Sequence, residues 1–194
     1  MTDSTRISAF APGSEASGKA NAAVPAAVTA ARQILAPGQF CILDVETTDL
    51  DGSIVEVAVI AADTGQTLFD ELINPGGIAI SVEAGAVHGI TETELDGARP
   101  WSQVYPELTA AIGERCIAAY NSTFDRGRII HDCNRIGLDP GPIGGHSRWE
   151  CLLELRTTAH GDGSRLRLDG GHRALGDVQA ARRILLAIAS GYAA

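Results

Sequence analysis

Apolar and polar positions divide the chain into a first half of short strands and a second half made mostly of helices. Gln39 to Glu46 carries Phe40, Cys41, Ile42, Leu43 and Val45, an apolar run too brief for an independent helix, and reads as a strand. Ile54 to Ala62 and Thr67 to Asn74 read as two more, and the Asp63-Thr64-Gly65 turn between them predicts a hairpin. Pro75-Gly76-Gly77 opens a long connection, Trp101 to Ile112 is the first strong helical segment, and Cys116 to Tyr120 is a fourth strand. From Ser122 the apolar spacing becomes helical through Phe124, Ile129, Ile130 and Cys133, stopping at Gly137-Leu138-Asp139-Pro140. Glu150 to His160 is another helical segment. Ala174 to Ala189 has an apolar stripe through Leu175, Val178, Ala181, Leu185 and Ile188. Sequential strands followed by strand-helix alternation predict an α/β protein with a mixed sheet flanked by helices.

Residues 1–25, rich in Ala, Ser, Gly and Pro, are expected to form a disordered or weakly ordered tail, with the globular domain over 26–194 and a short helix from Ala26 to Leu35. At 194 residues and 45% hydrophobic content the chain can build one core. No apolar run approaches the ~18 residues that span a bilayer, and the opening stretch lacks a signal-peptide pattern. A soluble cytoplasmic protein with no membrane partner is expected. The four cysteines are scattered, with no CxxC pair, and read as reduced core thiols.

A net charge of −9 disfavours a nucleic-acid partner until its distribution is considered. Residues 1–114 hold four basic and sixteen acidic side chains, whereas 115–194 hold eleven arginines and eight acids. A phosphate-facing surface therefore belongs to the second half.

Three groups of residues have chemistry to offer. Asp44 and Glu46, two apart on a strand, point to one face with roughly 7 Å between their Cα atoms. Like charges in so apolar a strand oppose each other's ionisation unless a cation intervenes, or unless both sit at the strand's solvent end. Asp125 follows Ser122 by three at a strand-to-helix junction, where local sequence favours a capping box, although the C-terminal end of a strand is also where such sheets put their ligand sites. His172 precedes a helix on Gly-flanked backbone and Asp177 lies in that helix's first turns; an exposed loop histidine and an acid favoured by the helix dipole are the plain alternatives. Taken together, four carboxylates on three elements suit two divalent ions, Mg²⁺ or Mn²⁺, with His172 as a general base toward water.

The ordered motifs resemble the DEDD-type 3′-to-5′ exonucleases, in the histidine-containing branch that includes the epsilon proofreading subunit of bacterial replicative polymerase and RNase T. Leu43-Asp-Val-Glu-Thr-Thr-Asp-Leu50 is similar to the first motif, Asn121-Ser-Thr-Phe-Asp125 to the second, and His172-Arg-Ala-Leu-Gly-Asp-Val-Gln-Ala180 to the third. Ile73-Asn-Pro-Gly and Ala86-Val-His-Gly-Ile-Thr91 resemble the family's connecting segment. The resemblance implies a ribonuclease-H-like mixed five-stranded sheet, with Asp44, Glu46, Asp125 and Asp177 as metal ligands and His172 as base. It implies hydrolysis of single-stranded DNA or RNA from the 3′ end, DNA favoured, releasing nucleoside 5′-monophosphates, and a polymerase or repair complex as partner. Thr47 falls where the family contacts the terminal 3′-OH and Leu50 where an apolar side chain packs on the last base, with His88 and Phe124 as further pocket residues. With the last helix running nearly to Ala194, no separate polymerase-binding tail is expected.

Two features depart from the family pattern. Asp49 stands where relatives commonly have Gly. The interval before the histidine, Gly161-Asp-Gly-Ser-Arg-Leu-Arg-Leu-Asp-Gly-Gly171, is glycine-rich where many relatives have a leucine-rich helix, leaving Arg165 and Arg167 to meet substrate phosphates. An exoribonuclease and a non-catalytic end-binding module of the same fold are the competing readings, and the intact set of five residues speaks against the second.

Overall fold

The computed structural model describes residues 14–192, with side chains from residue 23. Strand β1 (Phe40–Thr47) occupies the middle of the sheet, antiparallel to β2 (Ile54–Ala61) and parallel to β5 (Cys116–Ala119). β3 (Thr67–Asn74) pairs with β2 as the predicted hairpin, β4 (Arg99–Pro100) adds to β3, and β6 (Trp149–Cys151) adds to β5. The order is β4-β3-β2-β1-β5-β6, six strands where five were expected. The two strands missing from the four that the apolar pattern names are β4 and β6, two and three residues long, too short to leave a period-two pattern in the sequence.

Helix α1 (Ser14–Ile34) begins earlier than the predicted Ala26 start, while residues 1–13 of the expected tail lie outside the described residues. Its alanine-rich sequence favours helix, and Ala27, Ala31 and Ile34 bury against the sheet and its neighbours. The long connection after β3 contains α2 (Val82–His88) and α3 (Glu92–Leu95), each begun by a side-chain cap at Ser81 and Thr91. α4 (Trp101–Ile112), α5 (Ser122–Arg135), α6 (Leu152–His160) and α7 (Ala174–Ala189) complete the fold. Among the described residues no helix is long and apolar enough to cross a membrane.

Strand alternation sorts the core into two layers. Cys41, Leu43 and Val45 of β1 pack with Trp101, Val104 and Leu108 of α4 and with Ile129 and Cys133 of α5. On the other face Ile42 packs with α1, α6 and α7 through Ala31, Leu152, Val178 and Leu185. Asp44 and Glu46 share the parity of Ile42, so they emerge on the α7 side just where the apolar layer ends. A register shift between Glu46 and Thr47 bends β1 as it leaves the sheet.

Candidate active site

The C-terminal ends of the parallel strands β1 and β5 open into a cleft of about 580 Å³, the position where open α/β sheets collect their ligands. Asp44 and Glu46 come from β1, Asp125 from the first turn of α5, and Asp177 from the first turn of α7. Oxygens of Asp44, Glu46 and Asp177 lie within 4.8 Å of one another. Asp125 stands deeper, 2% exposed, and lines the same cleft.

Asp125 does not form the capping box that its spacing suggested. Asn121 is the N-cap of α5 and no side chain caps the helix. Instead one carboxylate oxygen accepts the Val45 amide at 3.2 Å, tying the start of α5 to the middle strand between Asp44 and Glu46. Asp177 likewise accepts the backbone N–H of His172 at 3.1 Å, so the first turn of α7 holds the loop that carries the histidine.

The electrostatics of the cleft are unfavourable without a cation. Burial, and then the charges of Asp125, Glu46 and Asp177, push the Asp44 carboxyl well above the usual carboxylate range. Burial together with Asp177 and Glu56 pushes Glu46 up to about 8, and burial pushes Asp125 up to about 7 despite the hydrogen bonds it accepts. Asp177 also rises through burial, against the hydrogen bond from His172. An all-oxygen donor set whose members repel one another fits hard divalent cations, which relieve that repulsion when bound.

His172 lines the cleft and is exposed. Its φ of 54° is the only positive value at a described non-glycine residue. Close packing holds this loop. A Cβ on Gly170 would lie 2.0 Å from the Asp177 carboxylate and 2.7 Å from its Cα, and one on Gly176 would lie 2.6 Å from the Gly170 carbonyl. Sequence reasoning passed over both glycines, although Gly176 falls inside the third motif.

The remaining predicted residues divide between two connected spaces. Thr47, Leu50, His88 and Phe124 line a neighbouring pocket of about 520 Å³ with Val45, Glu46, Asp49, Glu83, Ala84 and Val87. Leu50 is 78% exposed at its rim, whereas Thr47 is buried and its hydroxyl donates to the Asp49 carbonyl. The His88 ring is engaged at both nitrogens. Nδ1 accepts the Ile90 amide, so Nε2 carries the proton and donates to the Thr47 carbonyl at 3.2 Å. That neutral ring, its pKa lowered first by burial, fastens α2 to the end of β1 and leaves no ring nitrogen for a nucleotide.

Arg165 and Arg167 line the main cleft from the glycine-rich interval, a strap without regular secondary structure. Tyr120 donates to the Leu166 carbonyl at 2.6 Å, and Arg156 donates to the Arg167 carbonyl at 3.1 Å. Leu168 packs on the core. The strap thus forms a wall of the cleft.

One contact beside the site left no motif. Glu56, buried at 4% exposure on β2 and paired across from Glu46, receives the Arg173 guanidinium and the Ala174 amide. The available signal was a single charged residue inside the apolar run Ile54 to Ala62.

A mixed sheet that gathers carboxylates at the ends of two parallel strands, with a histidine at the rim, is the arrangement that the three ordered motifs imply. Residues 41–185 match the RNase T exonuclease family, and the chain belongs to that family, whose members use divalent metal ions. It is 31% identical over 120 residues to the PolC-type DNA polymerase III of Streptococcus suis, a match spanning 59% of this chain and 8% of that polymerase. Among solved structures, Exonuclease X in complex with 5′ overhanging duplex DNA superposes with a TM-score of 0.55 at 27% identity, covering 79% of this chain and 94% of that one. The nuclease domain of 3′hExo, a DEDDh family member bound to rAMP, shares the fold at a TM-score of 0.55 and 18% identity, covering 79% and 93%.

Proposed function

We propose that the protein removes nucleotides one at a time from the 3′ end of single-stranded DNA, with Asp44, Glu46, Asp125 and Asp177 holding two divalent cations, Mg²⁺ or Mn²⁺. The observation that carries this reading is the convergence of Asp44, Glu46 and Asp177 oxygens within 4.8 Å, in a cleft that Asp125 and His172 also line. Such ions supply Lewis-acid stabilisation of the charge that develops on the phosphodiester oxygens. His172 accepts a proton from the attacking water as the new oxygen–phosphorus bond forms. The bond from phosphorus to the 3′ oxygen of the penultimate sugar breaks, and the terminal nucleotide leaves as a nucleoside 5′-monophosphate.

The adjoining pocket accepts the terminal nucleoside. Leu50, Val87 and Phe124 give it apolar walls for a base, and Thr47 lies where the sugar enters. Arg165 and Arg167 face the phosphates behind it. DNA is favoured over RNA because the Exonuclease X structure, at 27% identity, is a complex with duplex DNA and the PolC-type relative, at 31%, is a DNA polymerase. Discrimination between the two rests on reception of the 2′-OH. The same relatives support a polymerase or repair complex as partner, and the free cysteines support the reducing cytoplasm as location.

The test incubates 5′-labelled single-stranded DNA and RNA with the protein in Mg²⁺, Mn²⁺ or EDTA, beside Asp44→Ala and His172→Ala. Stepwise shortening that needs the cation and Asp44 is expected, with His172→Ala slower by about 10²-fold or more while cation binding persists. Turnover in EDTA or in Asp44→Ala would overturn the mechanism; faster digestion of RNA would reverse the substrate preference.

A further inference from the structure

Helix α7 begins without a capping side chain from its own sequence. Its first amide, Ala174 N–H, is satisfied from a distant strand: Glu56 Oε2 on β2 accepts it at 2.7 Å. The same carboxylate receives Arg173 Nε at 3.0 and 3.1 Å and Arg173 Nη2 at 2.6 Å. An acid at this point completes an orphan helix amide and complements the positive end of the helix dipole.

His172 is the residue before Arg173. Its left-handed backbone, preceded by two glycines, is an unfavourable conformation for a side-chain-bearing residue and persists only where neighbours impose it. Two restraints are present. Asp177 accepts the His172 amide on one side, and Glu56 holds Arg173 and Ala174 on the other. Glu56 is also the cross-strand partner of Glu46, so the clamp is registered directly to the strand that carries the cation ligands.

We infer that Glu56 is a positioning residue that, through Arg173 and Ala174, sets the imidazole of His172 against the carboxylate cleft. It touches neither substrate nor reacting atoms. The inference rests on the proposed role of His172 as base, and it extends the functional centre to a residue outside all three motifs.

The experiment compares the full chain with Glu56→Gln, His172→Ala and the double variant on labelled single-stranded DNA in Mn²⁺. It adds Mn²⁺ titration and amide hydrogen exchange on the metal-free proteins. Glu56→Gln is expected to lower kcat by about 10- to 100-fold with KM unchanged, the scale of a displaced catalytic group. Mn²⁺ should still saturate the site, so that kcat is compared at full occupancy, and the amides of His172 and Ala174 should exchange faster while β1 does not. Added to His172→Ala, the substitution should cost almost nothing more, because both changes remove one device. Full kcat in Glu56→Gln, or losses that multiply in the double variant, would overturn the inference. Should Glu56→Gln fail to fold, Arg173→Met breaks the clamp from its half-exposed end, and the same outcomes decide. Absence of turnover in the unmodified chain would sink the proposed function instead. Exchange at His172 and Ala174 would then decide the clamp, unchanged protection overturning it.

Discussion

The two halves of the site are held in opposite ways. Asp44 and Glu46 stand on a strand that is paired with β2 beyond both of them, while its ladder with β5 ends at Ile42 and Asp125 takes the Val45 amide, so their backbone is set before any ligand arrives. What they lack is electrostatic ease, since burial and mutual repulsion work against ionisation of both. His172 and Asp177 sit at a loop-helix junction whose shape depends on a few polar contacts and on two positions with no room for a Cβ. The strand half stores repulsion and the loop half stores geometry. They should therefore fail differently when disturbed.

The largest effect is expected at the strand. Asp44→Asn keeps the side-chain shape but removes a charge, and activity should fall by about 10³-fold or more, the scale of losing a preorganised electrostatic stabiliser. Stability of the metal-free protein should move the other way, because one of the repelling carboxylates is gone. A rise of roughly 2–4 °C in Tm corresponds to about 1 kcal/mol for a chain of this size. A lowered Tm in calorimetry would show that Asp44 is a structural acid and that the strand half stores no repulsion.

Next comes the loop. Gly170→Ala places a methyl 2.0 Å from the Asp177 carboxylate and 2.7 Å from its Cα, so the loop or the first turn of α7 must shift. Activity should fall by about 10- to 100-fold, as expected for a small misplacement of catalytic groups. Tm should fall as well, opposite in sign to Asp44→Asn. Unaltered kinetics would mean that the junction adapts freely and that its geometry is not limiting.

Acidity provides a milder probe of the same contrast. Each carboxyl of the cluster is raised, so between the unfolded range near about 4 and the folded values the native state holds more protons than the unfolded chain. The associated stability is complete below that range and is lost as pH rises through about 7 for Asp125 and about 8 for Glu46. The metal-free protein should thus melt progressively lower from pH 5 to pH 8, and saturating Mg²⁺ should flatten the decline by neutralising the cluster. Chemical denaturation at several pH values checks this. Stability that climbs with pH in the metal-free protein would contradict the electrostatic picture of β1.

How far each half is legible in the sequence follows from the same physics. Strand parity alone puts Asp44 and Glu46 on one face, and the structure places them there because nothing but the pleat is involved. Asp125 is ambiguous in sequence because a capping box and a buried carboxylate have the same spacing; only the bond to Val45, eighty residues away in the chain, separates them. Glu56 is invisible for a similar reason. Its partners lie 117 and 118 residues later, and a lone acid in an apolar strand looks like an interruption. The strap is plainly glycine-rich in the sequence, yet its anchors at Tyr120 and Arg156 join distant segments. β4 and β6 are strands only because neighbours complete them.

The smallest effect should come from that strap. Along the strap Arg165 and Arg167 are exposed whereas Leu166 and Leu168 are partly covered, and both arginines line the cleft wall. Neither stands among the clustered carboxylates, so kcat at saturating substrate should be nearly unchanged in Arg167→Ala. KM should rise by about threefold, the scale of one screened phosphate interaction, and the slope of log KM against log salt should shrink by about 0.7 when one arginine no longer neutralises a phosphate of the single strand. Arg165→Ala should behave alike. A change in kcat with no change in salt slope would place these arginines with the chemistry and not with the grip on the strand, and the strap would then join the geometry-bearing half of the site.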